Sequence, residues 1–269
     1  MSIRRVSIGL VATSHPGPVV AVTVLSGLLA ASAGLSVGTG ALVVGAVLAG
    51  QLSIGWSNDL IDVARDRSVG RDDKPLASGA VSLTSVRVAC AVSVVATVAL
   101  SLACGVTAGL VHLGLVAAGW SYNLGLKSTL WSWLPYAVAF GGLPAFVELA
   151  HDPARLPPLW MVLAGALLGI GAHLVNVLPD LVDDAATGVH GLPHRLGPRW
   201  TPPVAVAALV LATATIAIGP RDPSWLLLAP ALAVVACLCL LALLGNGRTP
   251  FRAVIAIALV DVVMLVWAR

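Results

Sequence analysis

The sequence predicts an all-α fold, a polytopic membrane bundle of about nine transmembrane helices. Three observations predict it. Of 269 residues, 58% are hydrophobic and only 10% are charged, and the mean hydropathy is +0.98. A soluble domain carries about 25% charge, so this chain could not cover a water-facing surface. That excludes a soluble enzyme, a disordered protein and a nucleic-acid binder of the usual kind. Second, nine apolar runs approach the roughly 20 residues that a helix needs to cross a bilayer. Third, the basic residues and the tryptophans fall at or near the ends of those runs.

The runs follow in order. Residues 17–36 come after Arg4 and Arg5. Ala31-Ser32-Ala33 has the look of a signal-peptide cleavage site, but the many later hydrophobic segments make this run a retained helix. Residues 41–57 close on Trp56, 83–104 begin just before Arg87, and 106–122 close on Trp120. Residues 130–149 open on Trp131 and Trp133, and 158–178 open near Trp160. Residues 202–219 follow Trp200, 224–244 open on Trp225, and 251–267 close on Trp267. Indoles prefer the headgroup level, so these positions form an aromatic belt. Several runs are short or interrupted by Gly and Pro, which leaves eight as the other count.

Charge favours nine and orients the chain. With a cytoplasmic N-terminus, the cytoplasmic segments hold twelve of the fifteen Lys and Arg, and the other side holds only Arg155, Arg221 and Arg269. This positive-inside asymmetry also accounts for the net charge of +3 without an acidic partner. No linker is visible, so residues 1–269 read as a single integral membrane domain. Cys90, Cys104, Cys237 and Cys239 lie inside apolar runs without zinc-ligand spacing and read as packing residues.

Eight of the twelve acids sit in two short stretches: Asp59, Asp62, Asp66, Asp72 and Asp73, then Asp180, Asp183 and Asp184. Each stretch follows an even-numbered run, so both open to the cytoplasm on this topology. If the second helix continues, Asn58, Asp62 and Asp66 recur at four-residue steps and Asp59 joins them three residues before Asp62, all on one face. Gln51, seven residues before Asn58, extends that face into the membrane. His173, Asn176, Asp180 and Asp184 share a stripe in the second stretch.

Like charges this close, poorly solvated near a membrane, stay ionised only if cations neutralise them. Clustered carboxylates suit a hard divalent ion, and magnesium is usually held by one or two carboxylates with waters and substrate phosphates. Two such faces together would take a metal–diphosphate complex. Arg65, Arg67, Arg71, Lys74, Lys127, His194 and Arg195 flank them. The ordinary reading of one such cluster is a solvated loop. Against it stand the scarcity of acids elsewhere and the repetition at equivalent places in two halves, which points to an internal repeat.

Asn58-Asp59-x-x-Asp62-x-x-x-Asp66, followed by Lys74-Pro75-Leu76-Ala77-Ser78-Gly79, resembles the first aspartate motif of the UbiA superfamily of intramembrane prenyltransferases. The usual family form is N-D-x-x-D-x-x-x-D, then R-P-L-x-S-G. Asp180-x-x-x-Asp184, with Asp183 alongside, resembles the second motif. Lys74 stands where the family commonly has Arg. Tyr122 and Lys127 are separated by four residues where the family has Y-x-x-x-K.

The resemblance spans nearly the whole chain. It implies a bundle around a central cavity, with cytoplasmic cap loops at 66–82 and 181–201 and an apolar tunnel open to lipid. The activity it implies is that of a prenyltransferase (transferring alkyl or aryl groups other than methyl). Its partners would be Mg2+, an isoprenyl diphosphate and a lipophilic or aromatic acceptor, with pyrophosphate released. Neither nucleic acid nor an obligate protein partner is expected.

The resemblance assigns Asp59, Asp62, Asp66, Asp180, Asp183 and Asp184 as metal ligands, all but Asp183 also counted as catalytic. Asn58, Arg71, Lys74, Lys127, Asn176 and Arg195 are the implied diphosphate contacts. Gln51, Tyr122 and His173 are acceptor or cavity residues. His112 reads as a packing residue, Asp261 as structural and His15 as interfacial.

Other readings remain open. A terpene cyclase of the same superfamily would use the same metal site with no acceptor. A secondary transporter carries repeats with ionisable residues near broken helices, but at the midplane rather than at one face. A phosphatidyl-type alcohol transferase motif would need Gly where Val63 stands.

Overall fold

In lipid a backbone polar group finds no water, so a spanning segment must satisfy its own hydrogen bonds, and a helix does this internally. Among the described residues every regular element is helical. The computed structural model describes residues 3–268 except 72, 187, 222–223 and 246–248; the side chains of 3–6, 180, 182, 183, 186 and 227 lie outside that description. The helices are α1 (Ile3–Thr13), α2 (Pro16–Ser32), α3 (Val37–Ser68), α4 (Leu83–Ala103), α5 (Val106–Asn123), α6 (Leu134–Leu149), α7 (Leu159–Val177), α8 (Leu181–Ala186), α9 (Leu192–Ile218), α10 (Trp225–Leu244) and α11 (Thr249–Trp267). Tight 3-10 turns stand at Leu126–Ser128 and Leu178–Asp180.

Each of the nine apolar runs coincides with a helix. By length and apolar character α3, α4, α7, α9 and α11 suffice to cross a membrane, and the bent pair Ser7–Thr13 plus Pro16–Ser32 meets the same test only when its two arms are taken together. The chain is an integral membrane protein.

Two departures from the sequence reading have local causes. Residues 3–13 form a helix, α1, that no apolar run announced, because the chain turns by 74° between α1 and α2. Residues 181–201, expected as a cap loop, are largely helical: they hold α8 and the start of α9. The α9 path breaks at Gly197 (φ 72, ψ 173), and Pro198, Pro202 and Pro203 follow. At this break the Thr201 hydroxyl donates to the carbonyls of Pro193 (3.1 Å) and Gly197 (2.8 Å).

The helices group into two compact units, residues 1–124 with 149–154 and residues 125–148 with 155–269. In the first, α3 packs on α2, α4 and α5, and α1 lies against α2, α3 and α4. In the second, α7 packs on α9 and α11, and α9 also meets α8 and α10. There α6 and α7 approach closely: a Cβ at Gly165 would stand 2.6 Å from the Phe140 carbonyl oxygen. Small residues at such crossings let membrane helices touch backbone to backbone.

The length of α3 positions the first acidic motif. Ser36 caps its start, accepting from the Thr39 amide at 3.2 Å. Its 32 residues span about 48 Å at 1.5 Å each, against a hydrocarbon core of about 30 Å. The surplus falls at the polar end, where Asn58 to Ser68 carry the acids.

The α1–α2 elbow is seated on α3. The Trp56 indole donates to the Leu10 carbonyl at 2.9 Å, and Gly55 lies against the Ser14 carbonyl with no room for a side chain. Gly55→Ala is therefore expected to destabilise the protein by about 1–3 kcal/mol, the usual cost of overpacking, seen as a lower unfolding temperature in detergent. An unchanged unfolding temperature would show that the elbow does not bear on α3 there.

Candidate active site

Helical spacing puts Asp59, Asp62 and Asp66 on one face of α3, and that face is covered: the three are 3%, 5% and 3% exposed. Buried carboxylates are tolerable only when paired. Two cations and one imidazole supply the pairing. Lys74 Nζ donates to Asp66 Oδ2 at 2.8 Å and to Asp59 Oδ1 at 3.3 Å, joining the two. Arg65 Nη2 donates to Asp62 Oδ2 at 2.9 Å and lies 3.7 Å from Asp66 Oδ1. His15 Nε2, from the α1–α2 elbow, stands 2.9 Å from Asp59 Oδ1. Burial alone would lower the Lys74 pKa, but the charge of Asp59 and the hydrogen bond to Asp66 outweigh it and hold the ammonium above the ordinary lysine value.

The Lys74-Pro75-Leu76-Ala77-Ser78-Gly79 tail has a structural logic. It is a compact turn in which Ser78 N donates to the Lys74 carbonyl (3.0 Å) and Val81 N to the Pro75 carbonyl (3.1 Å). Gly79 takes φ 78, a left-handed value that suits glycine. Leu76, 1% exposed, plugs into Val81 and Val86 with Leu10, Trp56, Leu60, Val63 and Leu83 around them. The plug fixes the turn, and the turn points Lys74 at the acids.

The other expected residues of the first unit are less concentrated. Asn58 Nδ2 lies 3.3 Å from His15 Nε2. Gln51 and Tyr122 are half-buried on α3 and α5. Arg71 forms a two-point pair with exposed Asp73 at 2.8 and 2.9 Å, and its hydrogen bond holds the Asp73 carboxyl below the usual carboxylate pKa. Asn123, one residue beyond Tyr122, ties α5 to α3 through the Ile54 carbonyl (2.9 Å) and Ser57 hydroxyl (2.8 Å).

In the second unit, the side chains of Asp180 and Asp183 lie outside the described residues. Asp184 is half-buried, with His194 Nε2 3.9 Å from its Oδ2. His173, 1% exposed, meets the Ser132 hydroxyl at 3.0 Å and stacks near the Tyr136 ring at 4.9 Å. That hydroxyl also accepts the Leu192 amide at 2.9 Å, so it links α7 to the first turn of α9. Asn176 is exposed, 3.4 Å from the Tyr136 hydroxyl. Lys127 sits half-buried in the turn before α6, and Arg195 is exposed at the start of α9.

Sequence reasoning read His15 as interfacial without its contact to Asp59, and it passed over Ser132. No spacing rule ties residue 15 to residue 59 or residue 132 to residue 173; only packing brings them together. The donor set on α3 suits a hard divalent ion, being all carboxylate oxygen and buried. Among the described residues no three acid, His or Cys side chains converge on one point. Such a face offers partial coordination, the mode in which magnesium leaves positions to water and phosphate.

Residues 19–266 match the UbiA prenyltransferase family. Three solved structures share the fold. A UbiA homologue from Aeropyrum pernix K1 is 20% identical with a TM-score of 0.73, over 91% of this chain and 97% of that one. A digeranylgeranylglyceryl phosphate synthase is 18% identical with a TM-score of 0.71, over 99% and 98%. A UbiA homologue from Archaeoglobus fulgidus bound to GPP and Mg2+ is 16% identical with a TM-score of 0.73, over 97% and 98%. No curated protein matches.

Lys74→Met removes the cation shared by Asp59 and Asp66. A loss of about 3–5 kcal/mol is expected, as when one partner of a buried pair is deleted, while Lys74→Arg should retain most of the stability. Chemical unfolding of the three proteins checks this; equal stabilities would show that the carboxylates are neutralised in another way.

Proposed function

The chain belongs to the UbiA prenyltransferase family, and from that premise we propose that it transfers a prenyl group from an isoprenyl diphosphate to a lipophilic, aromatic acceptor in the membrane, releasing pyrophosphate. The observation that carries the reading is the buried acid face of α3, where Asp59, Asp62 and Asp66 are held by Lys74, Arg65 and His15. A solvated loop would need no such burial. The bound ligands of the Archaeoglobus fulgidus homologue, GPP and Mg2+, give the substrate class and the ion.

On this reading Asp59, Asp62 and Asp66 of the first motif, and Asp180, Asp183 and Asp184 of the second, are the residues that would hold Mg2+. When bound, the ion supplies positive charge beside the diphosphate oxygens. The chain's own residues do the rest. Lys74, Arg71, Lys127 and Arg195, with Asn58 and Asn176, bind phosphate oxygens and stabilise the charge that collects there as the allylic C–O bond breaks. The bonding pair leaves with pyrophosphate. Apolar walls keep water from the allylic cation. Gln51, Tyr122 and His173 orient the acceptor, whose ring carbon forms the new bond and then loses a proton. All nine apolar helices span the membrane in this proposal, residues 1–269 act as one catalytic domain, and the acidic motifs face the cytoplasm as the charge asymmetry directs.

Asp62→Ala and Asp180→Ala are each expected to abolish pyrophosphate release from a prenyl diphosphate while the protein still inserts and folds; full activity in either would remove the assignment. Chelation of Mg2+ by excess EDTA is expected to stop turnover, and restored Mg2+ to revive it. The orientation has its own check. A cysteine at Ser78, in a background without native cysteines, should react with a membrane-impermeant maleimide from the cytoplasmic side only. Labelling from the other side would reverse the topology.

A further inference from the structure

We propose that His15 is a positioning residue for the first aspartate motif: from the α1–α2 elbow it hydrogen-bonds Asp59 Oδ1 and fixes the carboxylate in the orientation that receives the metal–diphosphate. The inference rests on the reading above and adds to it a residue from outside both acidic motifs.

The geometry is specific. His15 Nε2 is 2.9 Å from Asp59 Oδ1, across 44 positions of sequence. The same nitrogen lies 3.3 Å from the Asn58 amide, so one imidazole touches both residues that open the motif. With the proton on Nε2, the ring donates to the Asp59 carboxylate, with Asn58 Nδ2 alongside the same nitrogen. Asp59 Oδ1 thereby receives two donors from distant parts of the chain, His15 and Lys74. Hydrogen bonds to a ligating carboxylate fix its orientation and tune the affinity of the ion it holds.

The backbone points the same way. His15 has φ 56 and ψ 66, and it is the one non-glycine residue with positive φ among the described residues. Such a conformation disfavours a branched or bulky side chain and persists only where the surroundings over-determine it. Here they do. Pro16 starts α2 immediately after, Ser14 is pressed against Gly55, and Leu10 is tied to Trp56. A glycine would relieve the backbone at position 15. What the histidine adds is the imidazole, and the imidazole ends on Asp59.

That separation of backbone from side chain makes the test clean. His15→Gly keeps the elbow at ease and removes the imidazole; His15→Gln restores a donor of similar reach. The purified proteins are compared by unfolding temperature, by calorimetric binding of pyrophosphate as Mg2+ is raised, and by pyrophosphate release with KM and kcat separated. The expected result is a folded His15→Gly protein whose Mg2+-supported pyrophosphate binding is about 10-fold weaker. Its kcat at saturating Mg2+ is largely kept, and His15→Gln recovers most of the affinity.

Unchanged binding in His15→Gly overturns the proposal. So does loss of fold in both variants, which would assign His15 to the elbow alone. Wild-type protein that binds no pyrophosphate at any Mg2+ concentration would overturn the functional reading itself, an outcome distinct from either.

Discussion

Three carboxylates buried along the last turns of one helix are the constraint from which the described site follows. Each must have a cation within hydrogen-bonding reach, or it could not stay ionised away from water. Arg65 within α3 and Lys74 from the turn after it meet that demand, and His15 from the elbow before α2 adds a hydrogen bond. The surrounding architecture serves these placements. Leu76 is buried so that the turn holds still and Lys74 is aimed. Gly55 is bare so that the elbow can close on α3. A helix of 32 residues carries the acids past the apolar layer while remaining one rigid rod.

The same economy of polar groups runs through the apolar part of the chain. Hydroxyls inside the helices return to carbonyls of the preceding turn, as Thr97 does to Ser93 at 2.7 Å, so they demand nothing of the lipid. His112 is buried and joined to Ser101 at 2.7 Å. Asp261, fully buried in α11, accepts from Thr213 of α9 at 2.6 Å. These pairs join neighbouring helices where the hydrophobic effect offers little preference, because lipid tails are as apolar as leucine. Close backbone contacts such as that between α6 and α7 supply the remainder.

Family membership and the acid face bear on function in different ways. Membership carries the reaction class, and a fold alone does not determine chemistry. The acid face adds a local physical reason: a buried, all-oxygen, cation-balanced surface suits a hard ion that shares its coordination with phosphate. The acceptor has no comparable signature. An apolar cavity is selected by shape, and many combinations of Leu, Val and Ala produce the same hydropathy.

What the sequence by itself determined was everything governed by local period or by counting. Nine apolar runs became helices, the form in which a segment satisfies its own backbone hydrogen bonds. The stripe of Asn58, Asp59, Asp62 and Asp66 lay on one face because a helix repeats every 3.6 residues. Tertiary structure alone decided the partners. The role of His15 on Asp59, the bridge of Lys74 between Asp59 and Asp66, and the junction of His173, Ser132 and Leu192 depend on contacts between residues 8 to 60 positions apart. It also decided where periodicity was interrupted, at the 74° elbow and at the Gly197 break. Hydropathy records how apolar a segment is and is blind to its direction, so a turn between two helical stretches leaves no trace in it.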